Sequence, residues 1–156
     1  MAAQSRETAR RAAAAIHVDY EVLDPVTDMF AAQADGAPPV HDGGNVLSVS
    51  IARKGEVDRA LEECAHVVTG TWETQLVEHA YLEPQGCLAI PEGGRRIMVV
   101  ASCQCPFYIQ HAVARVLGLP LASVRVEQSP TGGAFGGKED YPSEPAACAA
   151  LLAWTT

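Results

Sequence analysis

Residues 129–140, Ser-Pro-Thr-Gly-Gly-Ala-Phe-Gly-Gly-Lys-Glu-Asp, constrain this chain more than any other stretch. Gly132, Gly133, Gly136 and Gly137 place four glycines in six positions. A backbone without Cβ atoms enters left-handed conformations freely and lets a ligand come close to its N–H groups. The segment is therefore a loop between a strand and a later helix. A phosphate-loop reading meets the GxxxxGK spacing through Gly132, Gly137 and Lys138. It fails because Glu139 stands where a Ser or Thr would bind magnesium, and because Asp140-Tyr141-Pro142 breaks the helix that should begin at the lysine. No GxGxxG occurs, which removes the dinucleotide fingerprint. Two readings stay open from the residues alone: a glycine turn that only shapes the fold, and a loop that wraps an anionic or oxo-bearing ligand.

Around this loop the hydrophobic pattern alternates between helical and strand periods. Residues 5–15 predict a helix with Ser5 as N-cap and Thr8 as the alternative. Residues 16–23 alternate apolar and polar side chains and predict a strand closed at Asp24-Pro25. The loop-rich connection at 26–45 has room for a helical turn at 27–32, and residues 46–52 alternate again as an edge strand. A short amphipathic helix is expected at 55–65 and a strand at 66–76. Residues 85–92 and 96–103 flank Gly93-Gly94, a hairpin signal. Pro106 opens a helix that Gly118 and Pro120 end. Residues 122–128 predict a strand, and an alanine-rich helix over 145–154 is opened by Pro145. Helices interleaved with strands give an α/β or α+β class.

Charge and cysteines narrow the function classes. The formal net charge is −8, spread through the chain, which argues against a nucleic-acid partner because phosphates need a basic face. Arg6, Arg10 and Arg11 lie at helical spacing and form a solvated face. No apolar run approaches the ~18 residues of a membrane span, and charges interrupt the N-terminal alanines before a signal core forms, so a cytoplasmic location is expected. The five cysteines, an odd number, read as free thiols acting as small buried hydrophobes. Cys103-x-Cys105 has the wrong spacing for a zinc or thioredoxin site, and no metal site built from side chains is expected.

Several blocks, in order, carry a family resemblance. The loop Gly132–Asp140 resembles the glycine-Phe-glycine loop of the xanthine dehydrogenase/aldehyde oxidase family, which wraps a molybdenum site and its pterin dithiolene. Residues 68–89 resemble the family's EHxYLEP block. Residues 99–120 resemble its STQxP…LGLP block, with Cys103 where threonine is usual. Residues 16–28 resemble the end of the hammerhead-type domain that precedes the molybdenum domains. The resemblance implies an α+β fold: residues 1–52 the C-terminal part of a hammerhead-type α/β domain plus linker, and residues 53–156 the N-terminal part of the first molybdopterin-binding domain. Its sheet is expected to contain strands near 66–76, 86–91, 96–102 and 122–128.

The same resemblance implies a reaction and a site. Family members hydroxylate an aldehyde or an N-heterocycle such as a purine with water-derived oxygen. Electrons leave through two [2Fe–2S] clusters, usually to FAD, on an iron–sulfur subunit and a FAD subunit or on fused domains. Gln104 matches the glutamine whose amide approaches the apical oxo group, and a neutral donor suits that place; capping nearby backbone is the plainer role. Phe135 matches the phenylalanine beside the substrate ring; without the family, a hydrophobic plug anchoring the loop is the simpler reading. Gly136 matches a glycine whose N–H lies near the oxo group, and Gly133 and Gly137 shape the loop. Glu139 matches a glutamate that hydrogen-bonds the ring in purine-oxidising members. His79 and Glu83 are expected to make structural hydrogen bonds. Ala134 departs mildly from a glycine or other small residue.

Other departures bear on activity. The family's general base is a glutamate in a distant C-terminal segment, and most pterin contacts, the substrate-gripping arginine and the iron–sulfur cysteines also lie outside these residues. The chain alone is therefore expected to be inactive and to carry one wall of a site. Its abrupt ends suggest truncation on both sides. A non-catalytic remnant or partner-binding fragment is the alternative, although Gln104, Phe135, Gly136 and Glu139 are all intact.

Overall fold

The computed structural model describes residues 1–156, which divide into two compact units: Met1–His17 with Gln75–Thr156, and Val18–Thr74. The first unit holds the sheet and the glycine loop. Helix α1 (Arg6–Ala14) starts where Ser5 Oγ accepts the Thr8 N–H at 3.1 Å, satisfying one of the donors that a helix N-terminus leaves open.

The sheet follows from one hairpin and one crossover. Strand β1 (Cys87–Gly93) pairs antiparallel with β2 (Arg96–Ala101), and β2 pairs in parallel with β3 (Val124–Gln128), giving the order β1-β2-β3. The hairpin forms one residue later than Gly93-Gly94 suggests. Gly93 faces Arg96, so Gly94 and Arg95 are the central residues, and both have positive φ (58° and 59°) as a type I′ turn requires. A register irregularity between Pro91 and Gly93 uses the left-handed conformation of Gly93 and moves the turn along.

A parallel pair needs a crossover, and α4 (Pro106–Leu117) provides it. Pro106 opens the helix where its missing N–H costs nothing. Gly118, at φ 62°, closes it, and the Leu119 N–H reaches back to the Ala114 carbonyl at 2.9 Å. Helix α5 (Ser143–Thr155) begins two residues before Pro145, which sits inside its first turn, where a proline is tolerated. Every second residue of β2 (Ile97, Val99, Ala101) is buried against Ile109, Val113 and Ala114 of α4 and Ala146 and Ala150 of α5. The small side chains of α5 let it lie close to both sheet and helix. The resulting α+β unit has three strands, not the four expected.

The second unit contains two short helices, α2 (Met29–Ala32) and α3 (Val57–Glu62). Asp28 caps α2 through the Ala31 N–H, and Asn45 knits the following loop by bonding the Ala32 and Pro38 carbonyls and the Val40 N–H. The alternating segments 16–23, 46–52 and 66–76 pair with no strand. Their apolar residues, among them Tyr20, Val22, Leu47, Val49, Val68 and Trp72, stay exposed. Alternation marks a residue pattern that suits a sheet, but the ladder requires a neighbour, and none is in register here. The thiols also depart from a uniform buried set: Cys103 is buried, whereas Cys64 and Cys148 are exposed.

Since Ile97 is wholly enclosed, Ile97→Ala is expected to cost about 2–5 kcal/mol by denaturant unfolding. Leu88→Ala, on the exposed side of β1, is expected to cost about 0.5 kcal/mol or less.

Candidate functional site

The parallel pairing of β2 with β3 brings two loops out at one edge. Ala101 faces Gln128 at the ends of these strands, so Ser102–Cys105 and Ser129–Lys138 leave the sheet side by side. The carboxyl ends of parallel strands are where open sheets commonly hold ligands. Two bonds begin the connection: the Ser129 N–H to the Ala101 carbonyl at 2.9 Å, and the Gln104 N–H to the Lys138 carbonyl at 2.7 Å.

Gln104 is the centre of this edge. Its Oε1 accepts the N–H of Gly136 at 3.1 Å and the N–H of Lys138 at 3.2 Å. Two donors aimed at one atom assign that atom as oxygen, so the amide nitrogen Nε2 is turned away from the loop. Nε2 makes no hydrogen bond within the chain, and the residue is exposed. Gln104 therefore caps the loop with one end of its amide and presents a neutral donor with the other. The Gly136 N–H is taken up by Gln104.

The loop's glycines answer to two different constraints. Gly133 and Gly136 have φ of 95° and 94°, which side chains rarely tolerate. Gly137 has an ordinary φ but no room: a Cβ there would lie 2.6 Å from Tyr81 Cε1 and 3.0 Å from His79. Ala134, between them, is buried, so a small residue suffices. Phe135 also adopts a left-handed φ, 52°, yet its side chain is 75% exposed. It plugs nothing. The left-handed backbone costs energy that burial of the ring does not offset. Glu139 is exposed, with no hydrogen bond from its side chain.

Lys138 was not singled out as a site residue by its sequence, and its placement explains how the loop is held. Its side chain is 0% exposed, and Nζ lies 2.8 Å from Glu83 Oε2, 3.0 Å from Ser102 Oγ and 4.6 Å from the centre of the Tyr81 ring. The same Glu83 oxygen accepts the Ser102 hydroxyl at 2.7 Å and the Gly132 N–H at 2.8 Å. The ammonium of Lys138, then the hydroxyl of Ser102 and the N–H of Gly132, pull the Glu83 carboxyl down to about 2. With its lysine buried in this way, the loop has no free cation for a phosphate. Glu83 thus makes the structural bonds expected of it, whereas the His79 side chain makes no hydrogen bond and instead packs its ring against Gly136 and Gly137.

Beside the loop lies an open cleft of about 570 Å³, lined by Glu78, His79, Tyr81 and Gln85 on one part and by Gly136, Gly137, Asp140 and Tyr141 on the other. Gln85 Nε2 donates to the Tyr81 hydroxyl at 3.0 Å and to the Gly137 carbonyl at 3.2 Å, which leaves its buried Oε1 unpartnered. Gln104, Phe135 and Glu139 are outside these walls.

Glu83 imposes a pH dependence. Its folded-state pKa of about 2 lies below the ordinary 4.5, so its contribution is full above about 4.5 and is lost as pH falls towards 2. Unfolding midpoints measured between pH 5 and pH 2 are expected to fall more steeply for the native chain than for Glu83→Gln, which is less stable at pH 7 and flatter below it.

Comparison with known proteins identifies the family of this chain. A family model for the molybdopterin cofactor-binding domain matches residues 40–156. The xanthine dehydrogenase molybdenum-binding subunit of Escherichia coli O157:H7 is 34% identical over 145 residues, covering 93% of this chain and 19% of that protein. The nicotinate dehydrogenase large molybdopterin subunit of Eubacterium barkeri is 35% identical over 140 residues, covering 90% of this chain and 33% of its own. The crystal structure of quinoline 2-oxidoreductase from Pseudomonas putida 86 superposes with a TM-score of 0.71 at 27% identity, over 97% of this chain and 20% of that one. The chain thus spans about a fifth to a third of the length of these relatives. With the matched region taking in the sheet, Gln104 and the whole glycine loop, the chain belongs to the molybdopterin cofactor-binding domain family of the xanthine dehydrogenase/aldehyde oxidase type.

Proposed function

We propose that this chain forms one wall of the active site of a molybdenum hydroxylase acting on a nitrogen heterocycle or an aldehyde. The observation that carries the reading is the Gln104 amide, anchored through Oε1 and free at Nε2. An oxo-bearing group fits that end, because an uncharged donor holds an oxo ligand without altering the charge of the site. When bound, the molybdenum cofactor supplies two-electron oxidation of an electrophilic carbon with oxygen drawn from water. Substrate and water become hydroxylated product, two protons and two electrons.

The chain's own residues bind and orient. Gln104 Nε2 would hold the cofactor by donating to one of its oxygens, while Gly133, Gly136 and Gly137 keep the loop low enough for close approach. Phe135 offers an aromatic face to a planar ring, and its left-handed backbone aims that face outward. Glu139 supplies a carboxylate for a ring nitrogen or its N–H. Xanthine, nicotinate and quinoline, named for the relatives, are all nitrogen heteroaromatics, which favours a heterocycle with a purine as one candidate.

The general base and electron exit belong to other parts of the enzyme. The [2Fe–2S] clusters and FAD are assigned to partner subunits or fused domains, and the boundary near residue 52 to the junction of hammerhead-type and molybdopterin-binding domains. By itself the 156-residue chain is inactive and retains no molybdenum.

The test is isotopic. In the complete subunit carrying this segment, assembled with its partners, product formed in H₂¹⁸O acquires one labelled oxygen, and Gln104→Ala lowers kcat by ~10²-fold, the scale for losing one aimed donor. Label arriving from O₂ instead, or stoichiometric molybdenum on the isolated chain by elemental analysis, contradicts the reading.

A further inference from the structure

We infer that Lys138 is a positioning residue: the ion pair of its buried ammonium with the half-buried Glu83 sets the direction in which Gln104 presents its amide nitrogen. The inference rests on the reading of Gln104 as the donor to an oxo-bearing group, and adds what holds that donor in place.

Lys138 grips Gln104 with its backbone and the protein interior with its side chain. The Lys138 carbonyl accepts the Gln104 N–H at 2.7 Å, and the Lys138 N–H donates to Gln104 Oε1 at 3.2 Å. At the other end Nζ is fully enclosed and bonded to Glu83 Oε2 and Ser102 Oγ at 2.8 and 3.0 Å. Ser102 lies two residues before Gln104, so the ammonium ties together both chains that the amide must span. Glu83 extends the tie to the loop's first glycine through the Gly132 N–H at 2.8 Å. The donors and acceptors balance: the Ser102 hydroxyl gives its hydrogen to Glu83 and accepts from Lys138.

A buried ammonium has few places to go, because leaving its carboxylate inside the protein is strongly unfavourable. Its main-chain N–H is held accordingly, and so is Gln104 Oε1. Turning the amide over would set NH₂ against two N–H donors. The ion pair thus acts on the amide through the Lys138 backbone. A role confined to fold stability makes a different claim, since loss of the pair would then loosen the loop and the core together.

The experiment is NMR on the full 156-residue chain, following hydrogen exchange at the Gly136 amide relative to Val99 and the two Gln104 Nε2 proton resonances. In Lys138→Met, Gly136 exchange is expected to rise at least ~10-fold more than that of Val99, the factor for losing about 1.4 kcal/mol of local protection, and the Nε2 resonances to move towards their free-solution positions. Ser102→Ala, which removes one contact without stranding a charge, shifts both readouts the same way by less. Ile97→Ala, which weakens the core around Val99 itself, raises Val99 exchange at least as much as that of Gly136 and so does not increase the ratio. A ratio that stays constant in Lys138→Met overturns the inference; if that variant does not fold, a constant ratio in Ser102→Ala overturns it. No cofactor enters these measurements, so they stand apart from the isotope test. Full turnover in Gln104→Ala removes the donor reading, whereas an unmoved ratio removes only the role of Lys138.

Discussion

One carboxylate oxygen, Glu83 Oε2, gathers the Lys138 ammonium, the Ser102 hydroxyl and the Gly132 N–H within 2.8 Å. These three donors come from three separate places: the loop after β2 and both ends of the glycine segment. The Lys138 ammonium is buried and its Glu83 partner half-buried; such a pair contributes little net stability once desolvation is counted, but it is directional. Here the direction matters, because a loop with four glycines has almost no conformational preference of its own. The ion pair replaces that missing preference with a single anchored geometry.

The anchoring works because the strands beneath it are rigid. Ile97, Val99 and Ala101 fill one face of β2 and pack against the neighbouring helices α4 and α5. The parallel register of β2 with β3 then delivers Gln104 and the glycine loop to the same edge. A shift of one residue would turn the alternating face of β2 outward and separate the loops, so core packing and site geometry are set by the same pairing. Phe135 stands apart from this economy. Its left-handed backbone is unfavourable for an aromatic residue, and its exposed ring gains nothing from burial.

Much of the first unit was legible in the residues. Ser5, Pro106 and Gly118 mark helix ends through local chemistry, and the hairpin announces itself through Gly93 and Gly94, although the bulge moved the turn to Gly94-Arg95. These signals act over a few residues, so tertiary context changes them little. The alternating segments at 16–23, 46–52 and 66–76 misled, because a strand exists only with a partner and sequence period does not supply one. Gln104 and the glycines were recognisable from the blocks that surround them. Lys138 and Glu83 were not recognisable as a pair, for they are separated by 55 positions and share no pattern.

The sequence by itself determined the local grammar: where helices start and stop, where the backbone must turn left-handed, and which family's loop occupies residues 132–140. Tertiary structure alone decided which end of the Gln104 amide is free, that Lys138 faces inward and not towards an anion, and that Phe135 faces solvent. The physical reason is range. Capping and φ preferences are properties of neighbouring residues, whereas the orientation of an amide or an ammonium is settled by partners that only the folded sheet brings within 3.2 Å.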